Sequence, residues 1–384
     1  LAIFGGAPAF SEKLHVGRPN LGETERYLEA FEEVLESKWL TNKGKWVYEL
    51  ENAIESYLGV KHCVAVANGT LGLEIAARAL IPECGEVIVP SFTFAATPHA
   101  LAWQGYKPVF ADINPMTHIL DPVDVRAKIT DDTVGILGVH TWGTPCEVET
   151  LTAIAVERKI PLFFDAAHAF GCEFRGRSIG NFGRCEVFSF HATKFFNTAE
   201  GGAVTTNDSQ LAQRLRELRN FGFIRDGTHR TTGVGVNAKM SELHAVFGVL
   251  NLTEIETFIN RNLINYVGYE QFLKHQNLRV YEQKSGNYQY VVVELLGGEL
   301  SADVLVRVLR AENVLARRYF SPPCHKMLPY SRESHDLPVT ELVSGWTVIL
   351  PTGMAVTPFD VYNICQLILH CMQHAPQIVE ELGG

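Results

Sequence analysis

The chain has 384 residues, 46% of them hydrophobic and 20% charged, a balance that supports a large packed core and excludes a disordered, collagen-like or coiled-coil chain. Its 33 basic and 43 acidic side chains give a formal net charge of −10 with no basic block, so neither nucleic acid nor a membrane surface is expected as a partner. In chain order, residues 23–38 and 46–58 carry apolar side chains at helical spacing. A short apolar strand over 62–66 then leads into a helix over 69–80. Strands are predicted at 87–90, 108–111, 134–139 and 161–165, with helices at 95–103 and 148–158 between them. Short strands that are apolar on both faces and alternate with helices predict a mostly parallel sheet covered on both sides. Two further strands, 185–190 and 202–205, precede helices at 208–220 and 239–272, the second long enough that a break is expected within it. Beyond it come a strand at 288–296, a helix at 301–312, a strand at 346–350 and a helix at 358–374. The fold class is therefore α/β: a large domain over 1–260, with a helical N-terminal segment, and a smaller α+β domain over 261–384.

Eight cysteines are scattered without a CxxC pair, which reads as reduced thiols in a cytoplasm. No basic region followed by an apolar segment opens the chain, so no secretory leader is expected. His370 and His374 flank Cys371 on one helix, but without a third convergent ligand no metal site is assigned.

Ligands of an open parallel sheet sit beyond the carboxyl ends of its strands, so the residues there carry the functional reading. Gly69, Thr70 and Leu71 open a helix directly after a strand; they suit a phosphate cradle, or an ordinary turn with Thr70 as its cap. Asp165 closes an apolar strand and needs a cation or donors there, unless it caps a helix; His168 follows three residues on. Lys194 sits before two phenylalanines, where burial would lower its pKa and make its amine nucleophilic, although a surface lysine is the plainer alternative. Ser189, at a strand end, could reach a phosphate oxygen. Phe94 could face an aromatic ring or belong to the core. Taken together, an anion cradle, a strand-end Asp and a strand-end Lys suit pyridoxal 5′-phosphate: its phosphate, its ring nitrogen and its aldehyde need those three groups.

Seven stretches strengthen this reading: WLTNKGKWVYELE (39–51), VANGTLGLEIA (66–76), VIVPSFTFAAT (87–97), VHTWGTPCE (139–147), FFDAAHAFG (163–171), FSFHATKFFNTAEGGAV (188–204) and VGVNAKMSELHAVFG (234–248). In these the chain resembles the pyridoxal-phosphate sugar aminotransferases of the DegT/DnrJ/EryC1/StrS family, which have the aspartate-aminotransferase (type I) fold. The resemblance implies that Lys194 joins the cofactor aldehyde, that Asp165 pairs with the ring nitrogen, and that Phe94 stacks on the ring. It places His168 near the phenolic oxygen and gives the phosphate to Gly69, Thr70, Leu71 and Ser189. Asn237 would reach the phosphate from a neighbouring subunit, making a homodimer with composite sites; by its spacing alone it could also cap a helix from residue 238. The family's substrate segments imply Thr41, Tyr319 and His325 beside the substrate. The implied reaction moves an amino group from glutamate to a nucleotide-linked keto sugar, preferably carbon 4 of a dTDP-4-keto-6-deoxyhexose. Amination at carbon 3 or of a cyclitol is the nearest alternative. Dehydratases of this scaffold carry His in place of the lysine, so Lys194 argues against that activity, and the presence of both Lys194 and Asp165 argues against a non-catalytic sensor.

Overall fold

The computed structural model describes residues 1–81, 83–224, 228, 230–283 and 286–383. Its strands in chain order are β1 (Leu14–His15), β2 (His62–Val66), β3 (Glu86–Pro90), β4 (Lys107–Ala111), β5 (Thr133–Val139), β6 (Leu162–Asp165), β7 (Glu173–Phe174), β8 (Arg177–Ser178), β9 (Glu186–Ser189), β10 (Gly202–Thr206), β11 (Leu278–Val280), β12 (Val291–Leu295), β13 (Val314–Leu315) and β14 (Thr347–Leu350). Seven of them form one sheet in the order β2-β10-β9-β6-β5-β3-β4. All its neighbour pairs are parallel except those of β10, which runs antiparallel to both β2 and β9.

Both faces of the sheet are packed, because neighbouring side chains of these apolar strands point to opposite sides. Val187 joins Val64, Leu73, Leu137 and Leu215 on one face. Its neighbour Phe188 joins Leu50, Ile54, Phe170 and Phe258 on the other. Helix α1 (Thr24–Ser37) and helix α2 (Lys45–Leu58) are amphipathic, and α2 turns Val47, Leu50, Ile54 and Leu58 inward. Helix α3 (Gly69–Leu80) lies so close to the sheet at Gly72 that a Cβ there would stand 2.8 Å from Val187 Cγ1.

A second core contains Val291, Val293, Leu305, Leu309, Val348, Ile364 and Ile368, between the antiparallel sheet β11-β12-β14 and its helices. The first fifteen residues pack here rather than on the large sheet. Phe10 belongs to this core, β1 pairs in parallel with β13, and the Glu312 carboxylate accepts from the Ala2 and Ala9 amides at 2.6 and 2.7 Å. The helix over Ile255–Phe272 joins the two cores: Phe258 packs into the first, Tyr266 and Tyr269 into the second.

The expected long helix over 239–272 is two helices, Glu242–Thr253 and Ile255–Phe272, divided at Glu254 (φ −103°, ψ 4°). Its first residues are not helical, because Lys239 bridges Val66 and Ser241 caps the helix by accepting from His244 N. Helices at Pro122–Lys128, Pro338–Trp346 and Ala375–Glu381 were not predicted. Each carries Pro in its first turn, where the missing N–H is harmless and the fixed φ suits a helix.

Candidate active site

The parallel strands release their loops at one edge, and β10 begins there. Register aligns Val139 with Asp165 and Asp165 with Val187, while Gly202 pairs with both Ser189 and Val66. Asp165, Ser189 and the turn after Val66 therefore share that edge.

Asp165 is buried at the end of β6. Its Oδ2 accepts from Thr97 Oγ1 at 2.7 Å and its Oδ1 from the Ala167 amide at 3.0 Å, neither a charged group. No helix follows, so it is not a helix cap. Thr93 Oγ1, 2.8 Å from Thr97 Oγ1, extends the chain of hydroxyls. Burial pushes the Asp165 pKa up against these hydrogen bonds and the charges of Lys194 and His140. A carboxylate held this way gains most from a cationic N–H brought to it.

Lys194 is half-buried in the loop between β9 and β10, and its Nζ donates to Tyr290 Oη at 3.1 Å. Burial lowers its pKa from 10.5 to about 8, against the charges of Tyr319 and Asp165. This favours the buried reading of Lys194 over that of a surface lysine.

The cradle is formed by close backbone approach. A Cβ on Gly69 would lie 3.0 Å from Ser189 Cβ, and one on Gly202 would lie 2.6 Å from the Phe188 carbonyl oxygen and 2.9 Å from the Gly69 nitrogen. The helix cap is Asn68, not Thr70: its side chain accepts from the Leu71 amide at 2.9 Å. Leu71 N–H is thus engaged, and the amides of Gly69 and Thr70 are the first-turn donors without an intrahelical acceptor.

His168 is buried with its ring stacked on Trp142, centroids 5.7 Å apart at 15°, and tilted against Tyr290 at 4.4 Å. Its Nδ1 accepts from the Trp142 amide at 3.3 Å, which assigns the ring proton to Nε2. Burial and the charge of Lys194 hold its pKa well below the usual value, so the ring is neutral and Nε2–H is a donor. Trp142 takes a positive φ of 59° to offer that amide.

Phe94 is not core: it is 68% exposed, and Phe92, two residues earlier, is the buried ring. Tyr319 lies in the site, stacked at 10° on Trp142 and 5.6 Å from Tyr290. His325 is buried behind it, Nδ1 2.7 Å from Ser91 Oγ and Nε2 3.3 Å from Glu341. Asn237 does not cap a helix; it is exposed, bridges Asn220, and accepts from Lys239 Nζ at 2.6 Å. Thr41 is exposed between α1 and α2, next to Leu40, whose carbonyl accepts from the Glu242 amide. The described contacts do not bring Thr41 or Asn237 to Lys194 within one chain.

Three site residues escaped the sequence reading. Thr97 and Trp142 lie inside conspicuous stretches, but only their contacts show what they do. Tyr290 comes from the C-terminal unit, where no local pattern pointed to the site. A phosphorylated pyridine aldehyde fits this donor set: a carboxylate raised by burial for its ring nitrogen, free amides and a glycine-lined approach for its phosphate, and a deprotonatable amine for its aldehyde.

The family model for the DegT/DnrJ/EryC1/StrS aminotransferase family matches residues 22–369. The chain is 37% identical to a dTDP-4-amino-4,6-dideoxy-D-glucose transaminase of Shigella dysenteriae, over 80% of this chain and 85% of that one. It is 31% identical to a GDP-perosamine synthase of Caulobacter vibrioides, over 92% and 97%. The crystal structure of DesI in the presence of its TDP-sugar product superposes with a TM-score of 0.95 at 43% identity, covering all of this chain and 99% of that one. The fold is that of the pyridoxal-phosphate-dependent aminotransferases, as expected. The chain belongs to the DegT/DnrJ/EryC1/StrS aminotransferase family and is a pyridoxal-phosphate-dependent aminotransferase.

Proposed function

We propose that the protein transfers the amino group of glutamate to carbon 4 of a dTDP-linked 4-keto-6-deoxyhexose, in the cytoplasm, as a homodimer with composite active sites. The observation that carries the chemistry is an amine of pKa about 8, Lys194, acting across the site on a buried Asp165. The activity of the Shigella relative supports a dTDP-linked sugar and a 4-amino product, and the TDP-sugar product of DesI supports the nucleotide linkage.

The bound cofactor supplies an electron-poor ring that stabilises negative charge on the carbon next to the migrating nitrogen. Gly69, Thr70 and Ser189 would bind its phosphate. Asp165 would keep a proton on the ring nitrogen, and Thr97 holds the carboxylate in place for it. His168 Nε2–H would donate to the phenolic oxygen, and Phe94 would stack on the ring. Lys194 would be the base and acid that moves a proton between glutamate's α-carbon and the cofactor carbon. The same groups then act in the reverse order on the sugar ketone. Both substrates use one site in turn, so ping-pong kinetics follow.

The dimer reading is supported by apolar side chains exposed on the segments that carry Thr41 and Asn237: Trp39 and Tyr48 on the first, Phe223 and Val234 on the second. Asn237, on the second, would then reach a neighbour's phosphate. The deciding experiment incubates the loaded enzyme with glutamate and a panel of nucleotide-linked 3-keto and 4-keto sugars. The aminated product is then identified by mass spectrometry and NMR. A 4-amino dTDP sugar is expected; amination only of 3-keto sugars or of a cyclitol ketone would refute the assignment.

A further inference from the structure

The loop that carries Lys194 is fastened by residues from outside the large sheet. On one side, Gln289 Oε1 accepts from the Phe195 amide at 2.9 Å. On the other, Asn20 Nδ2 donates to the Phe195 carbonyl at 3.1 Å, and the Asn20 carbonyl accepts from Asn197 Nδ2 at 3.0 Å. The N–H and the C=O of the residue next to the lysine are thus both held, by neutral side chains that are 6% and 2% exposed for Gln289 and Asn20. Both tethers reach into the smaller unit. Asn20 Oδ1 accepts from the Met354 amide, beyond β14, at 3.0 Å. The Gln289 amide donates to Asn287 Oδ1 at 3.0 Å, and Asn287 Nδ2 donates to the His168 and Phe170 carbonyls at 2.9 Å. Tyr290, the next residue, receives Lys194 Nζ at 3.1 Å. One short segment, 287–290, therefore touches the His168 turn, the backbone beside Lys194 and the lysine's amine.

We propose that Asn20 and Gln289 are positioning residues for Lys194, holding its amine in the site by fixing the N–H and C=O of Phe195; this rests on the role given to Lys194 under Proposed function. The lysine's four-carbon stem is flexible, so the place of its amine is set by its backbone and by the one hydrogen bond to Tyr290. Proton movement between fixed carbons loses rate steeply when the moving group is displaced by about an ångström. A loop freed from either tether also lets water reach the amine. Lys194 faces Asp165, His168, Tyr290 and Tyr319, and burial outweighs the raising effect of Tyr319 and Asp165 on its pKa. Hydration would therefore move that pKa up from about 8 toward the ordinary lysine value, leaving less free base at a given pH.

The test reads the amine without the cofactor. Cofactor-free protein is acetylated with acetic anhydride, in competition with a reference amine, from about pH 6 to 11, and the Lys194 peptide is quantified by mass spectrometry. Wild type is compared with Gln289→Met, Asn20→Ala and Val306→Ala, the last a cavity in the core of the smaller unit. Wild type is expected to titrate near pH 8, and Val306→Ala with it, whatever stability it loses. Gln289→Met and Asn20→Ala should titrate about one pH unit higher, so that labelling at pH 7.5 falls about eightfold. In the loaded forms of these two, kcat should drop about tenfold with little change in the KM for glutamate, and the isotope effect of α-deuterated glutamate should grow. Should a variant not fold, hydrogen exchange in the wild type still decides. Its Phe195 amide, bonded to a buried acceptor, is expected to exchange slowly, and rapid exchange would remove the tether. Wild-type midpoints in both variants, or an equal shift in Val306→Ala, overturn the positioning and leave the role of Lys194 standing. A wild-type midpoint near 10.5, or turnover retained in Lys194→Ala, overturns that role, and the positioning falls with it.

Discussion

An amine of ordinary pKa is unprotonated in only about one copy in a few thousand at pH 7. Burial brings Lys194 to about 8, so roughly a tenth of it is free base at that pH. Because the folded value lies below the ordinary one, the reactive form gains as pH rises through 8 and then saturates. The rate at which cofactor-free protein takes up pyridoxal phosphate, followed by visible absorbance, is expected to be half-maximal near pH 8 and flat above 9. A rate still climbing at pH 10 would mean an unperturbed amine. Asp165→Asn keeps the shape but not the charge that retains the ring proton, and turnover should fall about a hundredfold or more while the cofactor still binds. The positions of Lys194 and Asp165 at one sheet edge were legible in the sequence because Asp165 ends a strand and Lys194 lies in the loop after one, and strand ends converge in a parallel sheet. Tyr290, the hydrogen-bond partner of Lys194, was not, because its place depends on how the second core docks.

At the level of elements, the site depends on two devices. The first is the approach of β10 to the opening of α3. Gly202→Ala would drive a methyl into the Phe188 carbonyl and the Gly69 amide, with an expected loss of about 2–3 kcal/mol in urea unfolding and weaker binding of the cofactor phosphate. The second joins the two units through buried polar groups. Trp142 Nε1 donates to His118 Nδ1 at 3.1 Å, and since indole only donates, the His118 proton sits on Nε2 and faces Glu294 at 3.0 Å. Arg279 holds that carboxylate through Nε and Nη2 at 2.5 and 2.9 Å. His118→Ala removes one partner from two buried groups, so a loss of about 2–4 kcal/mol is expected. Activity should fall further than a surface variant's, because Trp142 also holds the His168 tautomer. A His118→Ala protein as stable as wild type would show that the network carries no load. Alternating strands and helices made the sheet readable beforehand; the helices at 122–128, 338–346 and 375–381 were missed because a proline can end one helix as well as begin another.

On the scale of the whole molecule, one chain leaves Asn237 and Thr41 exposed and away from Lys194. A homodimer gives both a partner site to serve, and sedimentation is expected to show twice the 42.7 kDa chain mass. Complementation tests the sharing directly. Lys194→Ala and Asn237→Asp homodimers should each be weak, the second because a carboxylate would face a phosphate. Mixed and refolded together, they should recover activity, since each hybrid has one site free of both changes. No recovery, with hybrids confirmed by mass, would put both residues in the same chain's site. The sequence stretches imply the proposed partnership only through resemblance, because residues that would meet across subunits leave no spacing in a single chain.

The account rests on the attachment of the cofactor at residue 194. Protein loaded with pyridoxal phosphate, reduced with borohydride and digested should yield one modified peptide, carrying the pyridoxyl mass on Lys194. Prior glutamate should suppress that label and bleach the visible band. A label on another lysine, or an unchanged label in Lys194→Ala, would contradict the mechanism.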